Sequence, residues 1–309
     1  MVVDTLSEER KIKNFLAILF LSATVVGIDG IFQLFTGKDF IRQRIYIGKS
    51  RIHATFPTAN DFVCYLNAVI PLAIASFLLK FKKKKTKIYL RGLPLLLLLC
   101  LFLTFSRGGW LAFISMFLFM GFWVPSSLIF ILFFGICIIT GWPFFNPVIK
   151  DHLNNFFLLL DQSSADRRWI WATGWKMFMH NPWFGLGLGT FMFNFRKFVT
   201  GVYPYGTPYA HNCYLQMVSE IGLIGLFSFL LILLLFYFHG IRSLNNKNIP
   251  RTYSWYMLLG SLAAILGYCV HMVVDTSFYS LDLGMLFWIL LGLGTAAMNN
   301  IKLETVTPK

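Results

Sequence analysis

Apolar blocks of roughly 20 residues recur along this chain, each long enough to cross about 30 Å of hydrocarbon, and the charged residues gather between them. A soluble globule has no interior large enough to hide so many such blocks. Composition agrees: of 309 residues, 57% are hydrophobic and 13% charged, where soluble domains carry about 25% charge. The blocks fall at 14–35, 61–79, 92–105, 109–124, 127–145, 213–238, 255–274 and 283–298, with 92–105 the shortest clear candidate. In lipid a helix satisfies its own backbone, so the expected fold class is all-α, a polytopic transmembrane helical bundle of about eight spans. Residues 1–309 are expected to form a single membrane domain, with 146–212 inserted between spans as an extracytoplasmic loop. The first block ends without a small-residue cleavage site, which favours a membrane anchor over a removable signal peptide.

Charge sets the expected orientation. Residues 80–91 hold seven cations in twelve positions, a stretch expected to stay in the cytoplasm. Alternation then puts both termini and the connection 239–254, with Arg242, Lys247 and Arg251, on the same side. The connection 36–60, the turn at 106–109 and the loop 146–212 fall outside. The net charge of +14 would suggest nucleic acid in a soluble chain, but cations placed between spans are explained by topology, and no nucleic-acid partner is expected. Two external segments nevertheless carry cations: Lys38, Arg42, Arg44, Lys49 and Arg51 in the first, and six in the long loop against Asp151, Asp161 and Asp166. Either an anion binds at the outer surface or these short basic loops translocate regardless. The five cysteines, Cys64, Cys100, Cys137, Cys213 and Cys269, are scattered singly and read as small core residues.

Within the long loop, Trp171, Trp175 and Phe178 recur at helical spacing until Asn181-Pro182. This predicts an amphipathic helix near the outer interface. The run Gly185-Leu186-Gly187-Leu188-Gly189 is too glycine-rich for a helix interior and predicts a turn that lets backbones approach closely; no βαβ context supports a dinucleotide site.

Three external features carry candidate chemistry. Arg107 lies where the hydrocarbon ends, with Gly108-Gly109 leaving room for another backbone or a ligand; it reads as functional or as snorkelling to headgroups. The Arg167-Arg168 pair supplies planar, permanently charged donors suited to a diphosphate. His211, before Asn212, can exchange protons near neutral pH, although a lone histidine at a helix start is also a common capping residue. Asp275 is an outward-facing acid that orients His211, pairs with an arginine, or serves a structural ion pair. Glu220 lies about 13 Å along the helix from His211 and reads as a structural polar contact. His53, His152, His180 and His239 show no partner pattern.

Taken together, Ser106-Arg107-Gly108-Gly109-Trp110-Leu111-Ala112, then Arg167-Arg168-Trp169-Ile170-Trp171 followed by 180–191, then His211-Asn212-Cys213-Tyr214-Leu215 and its continuation to 226, resemble the O-antigen ligase and O-antigen polymerase superfamily. Thr58-Ala59-Asn60-Asp61-Phe62 is similar to the family's Asn-containing helix start, and the resemblance runs from about residue 50 to 290. It implies a GT-C type membrane glycosyltransferase in the cytoplasmic (inner) membrane, its site on the extracytoplasmic side, working in cell-envelope polysaccharide synthesis of the lipopolysaccharide kind. The implied donor is a glycan on a polyprenyl diphosphate such as undecaprenyl diphosphate, and the acceptor a glycan or lipid-linked molecule; no cofactor and no metal are implied. Arg107 is similar in position to a diphosphate ligand of the family. The family's second arginine precedes a Trp by four positions, which selects Arg167, before Trp171, with Arg168 kept as a binding residue because the register is ambiguous by one. The family histidine falls on His211. Arg168, Asn212, Asp275, Arg51 and Asn60 complete the expected substrate-binding set.

The implied chemistry is attack of an acceptor hydroxyl on the anomeric carbon, with inversion, His211 positioning or deprotonating the hydroxyl and Arg107 and Arg167 meeting the charge on the departing diphosphate. Only one expected span precedes the Asn60 helix, where family members carry several more, as expected of a short variant or of a chain lacking the family's first part. A chain polymerase of the same family would use the same motifs. A transporter of lipid-linked anionic sugars is the alternative outside enzymology, but it should show repeat-related broken helices and charges reachable from both sides, whereas these charges share one expected side and no internal repeat is evident.

Overall fold

The computed structural model describes residues 1–45, 51–79, 84–132, 135, 162–200, 209–247 and 249–306. The chain is an all-α polytopic membrane protein, its helices being α1 Val2–Thr5, α2 Glu9–Thr36, α3 Ala59–Phe77, α4 Lys84–Leu103, α5 Arg107–Trp123, α6 Gln162–His180, α7 Phe191–Phe198, α8 Cys213–Leu244, α9 Tyr253–His271 and α10 Leu281–Val306. Their ends follow local chemistry. Thr58, Ser106, Asn212 and Thr252 each cap a helix by accepting a backbone N–H through the side chain. Gly37 closes α2 in the left-handed region, at φ 74°.

Five helices, α2, α3, α8, α9 and the 281–304 part of α10, are long and apolar enough to cross a membrane; Ile88–Leu103 of α4 and Arg107–Trp123 are shorter apolar helices. Seven of the eight expected blocks thus lie on helices, two of them below full spanning length. Of the eighth, 127–145, only 127–132 and 135 are described, so that expectation falls largely outside the described residues, as do Cys137, His152 and 146–161 of the long loop.

The bundle is built around α3 and α9, which pack on each other and on α5, with α10 also against α9. Burial separates inner from outer helices: 83% of the apolar window of α3 is buried, against 22% of that of α8. Small residues allow the close crossings, as where Gly260 of α9 meets Ala75 and Leu72 of α3. Asn67, fully buried in α3, satisfies its amide N–H on the Gly109 carbonyl at 3.1 Å.

A second, smaller cluster of Ile170, Met177, Phe191, Phe195 and Ala210 joins α6, α7 and the approach to α8. The helix expected around 169–178 is present, but its buried stripe is Ile170, Thr173, Gly174, Met177 and Phe178. Trp171 is only half-buried, its indole N–H donating to the Ala210 carbonyl (2.9 Å), and Trp175 is exposed. The inward face is therefore centred one residue earlier than the Trp spacing predicts. The glycine run does bring backbones together, as described next.

Candidate active site

Residues 51–54, the start of α3, the start of α5 and the segments before α8 and after α9 converge. Arg51 reaches the C-terminal end of α4, its Nε donating to the Thr104 carbonyl at 2.7 Å, while its backbone neighbour Ile52 donates to the Leu103 carbonyl at 3.2 Å. A cation thus satisfies a carbonyl that α4 leaves without an intrahelical donor. The same guanidinium donates to Asn60 Oδ1 at 3.1 Å, which also accepts from Ser106 Oγ at 3.0 Å. Asn60 Nδ2 donates to Asp275 Oδ2 at 2.6 Å. One amide therefore links Arg51, the cap of the helix that begins with Arg107, and Asp275.

Asp275 is buried, and its other oxygen accepts from the Thr276 N–H and Ser277 Oγ, both at 2.8 Å. Burial pushes its carboxyl up, but His271 and His211 beside it and the hydrogen bonds from Ser277 and Asn60 outweigh burial, leaving it below the usual carboxylate range. His211 Nδ1 faces Asp275 Oδ2 across 4.0 Å and makes no hydrogen bond among the described residues. Burial lowers the imidazole pKa, with Asp275 opposing and the Arg167 cation reinforcing the shift. The histidine is therefore held neutral near pH 7, in the state able to take a proton.

Three guanidinium groups share this neighbourhood. The pKa of Arg51 is lowered by burial first, is raised by Asp275, and is lowered further by the nearby charges of Arg107 and Arg167. Arg51, Asn60, Arg107, Arg167 and His211 are each half-buried, as groups lining a cleft would be. Like charges gathered so closely repel one another, and a bound anion relieves that repulsion.

Hydrogen bonds and the approach of His211 to Asp275 join Arg51, Asn60, His211 and Asp275, and the charges of Arg107 and Arg167 act on Arg51 from nearby. Arg168, rotated about 100° from Arg167 around α6, is exposed, and no contact joins it to the cluster among the described residues. Asn212 serves as the cap of α8, its Oδ1 accepting from the Leu215 N–H at 3.0 Å. At Gly108 and Gly109 the space is taken by Val274 and Val63 side chains, so these glycines admit neighbouring elements and not a further backbone or a ligand. Sequence reasoning missed Ser106 and Ser277 as members of the network. The Asp275-Thr276-Ser277 spacing, which lets a carboxylate accept from its own following turn, was the available signal for the latter. It also left His271 unassigned: that residue is 1% exposed, and its Nε2 has no hydrogen-bond partner among the described residues.

The backbone around the site is held in unusual conformations. Four non-glycine residues among those described have positive φ, and three border this cluster: Ala54 (49°), Phe105 (47°) and His211 itself (49°). Phe105 and His211 each immediately precede a capping residue, so the left-handed turn aims the start of α5 and of α8. Such conformations cost about 1–3 kcal/mol each and persist where the surroundings over-determine them.

The glycine run fixes α6 and α7 against α8. Helix α8 breaks at Gly222 (φ 66°, ψ −172°). The 182–187 segment satisfies the break: Leu223 donates to the Pro182 carbonyl (2.8 Å) and Ile224 to Trp183 (3.3 Å), while Leu186 and Gly187 donate to the carbonyls of Ser219 (3.0 Å) and Glu220 (2.8 Å). A Cβ at Gly185 would stand 2.3 Å from the Glu220 carbonyl carbon, and one at Gly222 2.2 Å from the Trp183 oxygen. The Glu220 carboxylate accepts from the N–H groups of Gly189 and Phe191, each at 2.9 Å, at the N-terminus of α7. This fits its reading as a structural contact. Ser219 Oγ, donating to Gly174 (2.9 Å), ties α6 to the same turn. Arg167 and His211 are thus carried on one braced frame.

No group of three or more His, Cys, Asp or Glu close enough to hold a metal ion occurs among the described residues. Residues 92–230 match the protein family described as O-antigen ligase, a stretch that includes Arg107, Arg167 and His211. No curated protein matches the chain.

Proposed function

We propose that this chain, similar over 92–230 to the O-antigen ligase family, transfers a glycan from a polyprenyl-diphosphate carrier to an acceptor hydroxyl at the extracytoplasmic surface of the inner membrane. The observation that carries this reading is the gathering of Arg51, Arg107 and Arg167 beside a neutral His211 that faces Asp275. The arginines suit a diphosphate, whose spread negative charge matches planar donors. Asp275, held by three hydrogen bonds, faces Nδ1 of the imidazole across 4.0 Å, and a small closing of that gap on substrate binding would orient the ring and leave Nε2 for the acceptor. The acceptor oxygen bonds to the anomeric carbon, its proton passes to His211, and the bond to the diphosphate breaks with the electron pair leaving on the carrier. Charge developing on that leaving group is met by the guanidinium groups. One displacement inverts the anomeric configuration, and no metal is assigned a part.

The test is transfer by the purified protein from polyprenyl-diphosphate glycan to a panel of acceptors. Arg167→Ala and His211→Ala should each lower the rate by about 100-fold or more at unchanged expression. Unchanged transfer in both overturns the site, and retained anomeric configuration overturns the single displacement. Preference for a lipid-linked core over a growing glycan as acceptor separates ligation from chain polymerisation.

A further inference from the structure

At the far end of α8 from His211, about 30 residues on and beyond the break at Gly222, a cavity of about 380 Å³ opens between the last turns of α8 and α10. Cations approach it from both helices, Arg242 from α8 and Lys302 from α10, with the His239 ring also lining it. Ser243 and Asn246 add polar groups, and no carboxylate is among the described residues that line it. Arg242 alone would be explained as a cation offsetting the C-terminal end of the α8 dipole. That account covers neither Lys302, contributed by a different helix, nor the open hollow between them.

We propose that this cavity binds the phosphodiester headgroup of an anionic phospholipid in the leaflet opposite the candidate active site. The level is right for a headgroup: the Trp123 indole, donating to Asn245 Oδ1 at 2.9 Å, marks the zone where tryptophan meets the interface. An acyl-chain surface adjoins it, because Leu234, Leu235 and Phe238 on the preceding turns of α8 are 65%, 48% and 58% exposed. Cationic hollows between membrane helices on the cytoplasmic side are where anionic headgroups are held. The cavity floor supplies apolar contact through Met298 and Ile301, both buried.

The experiment places the full chain in nanodiscs of dioleoylphosphatidylcholine doped with dioleoylphosphatidylglycerol and counts retained lipid by native mass spectrometry. Wild type should retain phosphatidylglycerol in preference to phosphatidylcholine, and Arg242→Ala/Lys302→Ala should weaken that retention by about thirty-fold. Arg242→Lys/Lys302→Arg, which keeps both charges, should hold it. Ser243→Phe, which fills the cavity without removing a charge, gives a second reading should the alanine pair not fold: it should also lose the lipid. Wild-type retention in either the alanine pair or Ser243→Phe overturns the proposal, as does equal retention of phosphatidylcholine. Displacement by millimolar inorganic phosphate makes the site one for free phosphate and overturns the lipid assignment.

Discussion

The Asn60 amide has its direction dictated from both ends, its oxygen accepting from Arg51 and Ser106 and its nitrogen donating to Asp275. Asn60→Ala removes a hydrogen bond to a charged carboxylate and should lower stability by about 1–3 kcal/mol, read as a lower melting temperature in detergent. Asn60→Asp should be worse, because it replaces a donor with a second carboxylate against Asp275; a milder loss than that of alanine would contradict the network. The imidazole of His211 gives a pH signature. Its unfolded form takes a proton near 6.5 and its folded form only at lower pH. Stability from this group is therefore complete above 6.5 and lost as pH falls through the folded value. Transfer should likewise keep its rate at neutral pH and show an acid limb below 6.5. Arg167→Gln should move that limb upward by removing a cation, and Asp275→Asn should move it downward by removing the opposing anion. At this scale the sequence revealed much, since arginines at a membrane boundary and a histidine before a helix are chemically conspicuous. It could not reveal Ser106 or Ser277, because a serine in a hydrogen-bond network looks like any other serine until the chain is folded. Arg167 and Arg168 are equally basic in one dimension, and only the turn of α6 separates a half-buried arginine from an exposed one.

Among the elements, α8 depends on its interruption. Gly222→Ala puts a side chain at positive φ and within 2.2 Å of a carbonyl oxygen, a clash that no side-chain rotation relieves. It should cost about 3 kcal/mol or more and expose 182–190 to limited proteolysis. Glu220→Gln keeps the shape but removes the negative charge at the start of α7, so a loss of about 1–2 kcal/mol is expected in the same melting assay. The glycine run signalled close backbone approach, yet nothing local said that its partner would be a break in a helix 30 or more residues further on. The Trp171 and Trp175 spacing misdirected the reading of α6 for a physical reason: tryptophan is apolar in body and polar at its N–H, so it serves an interface as readily as a core. Ile170 and Met177, less prominent by eye, have no such option.

For the whole molecule, length and hydropathy sufficed for the architecture, because lipid permits few ways to satisfy a backbone. They did not sort inner helices from outer ones: α3 and α8 are both apolar, and only packing leaves the second facing outward along most of its length. The proposed orientation rests on the cations at 80–91 and is testable directly. In intact cells Leu188→Cys, at an exposed position, should react with an impermeant maleimide, whereas Lys247→Cys should react only after permeabilisation. The reverse pattern would turn the protein over and remove the extracytoplasmic reading.

The seam between the 182–187 segment and α8 is stitched by main-chain atoms, which every residue except proline can supply in full. Trp183, Phe184 and Leu188 stand outward from that stitching, so their identity is decoupled from its strength. Substitutions at these three positions should leave the main-chain seam beneath them intact.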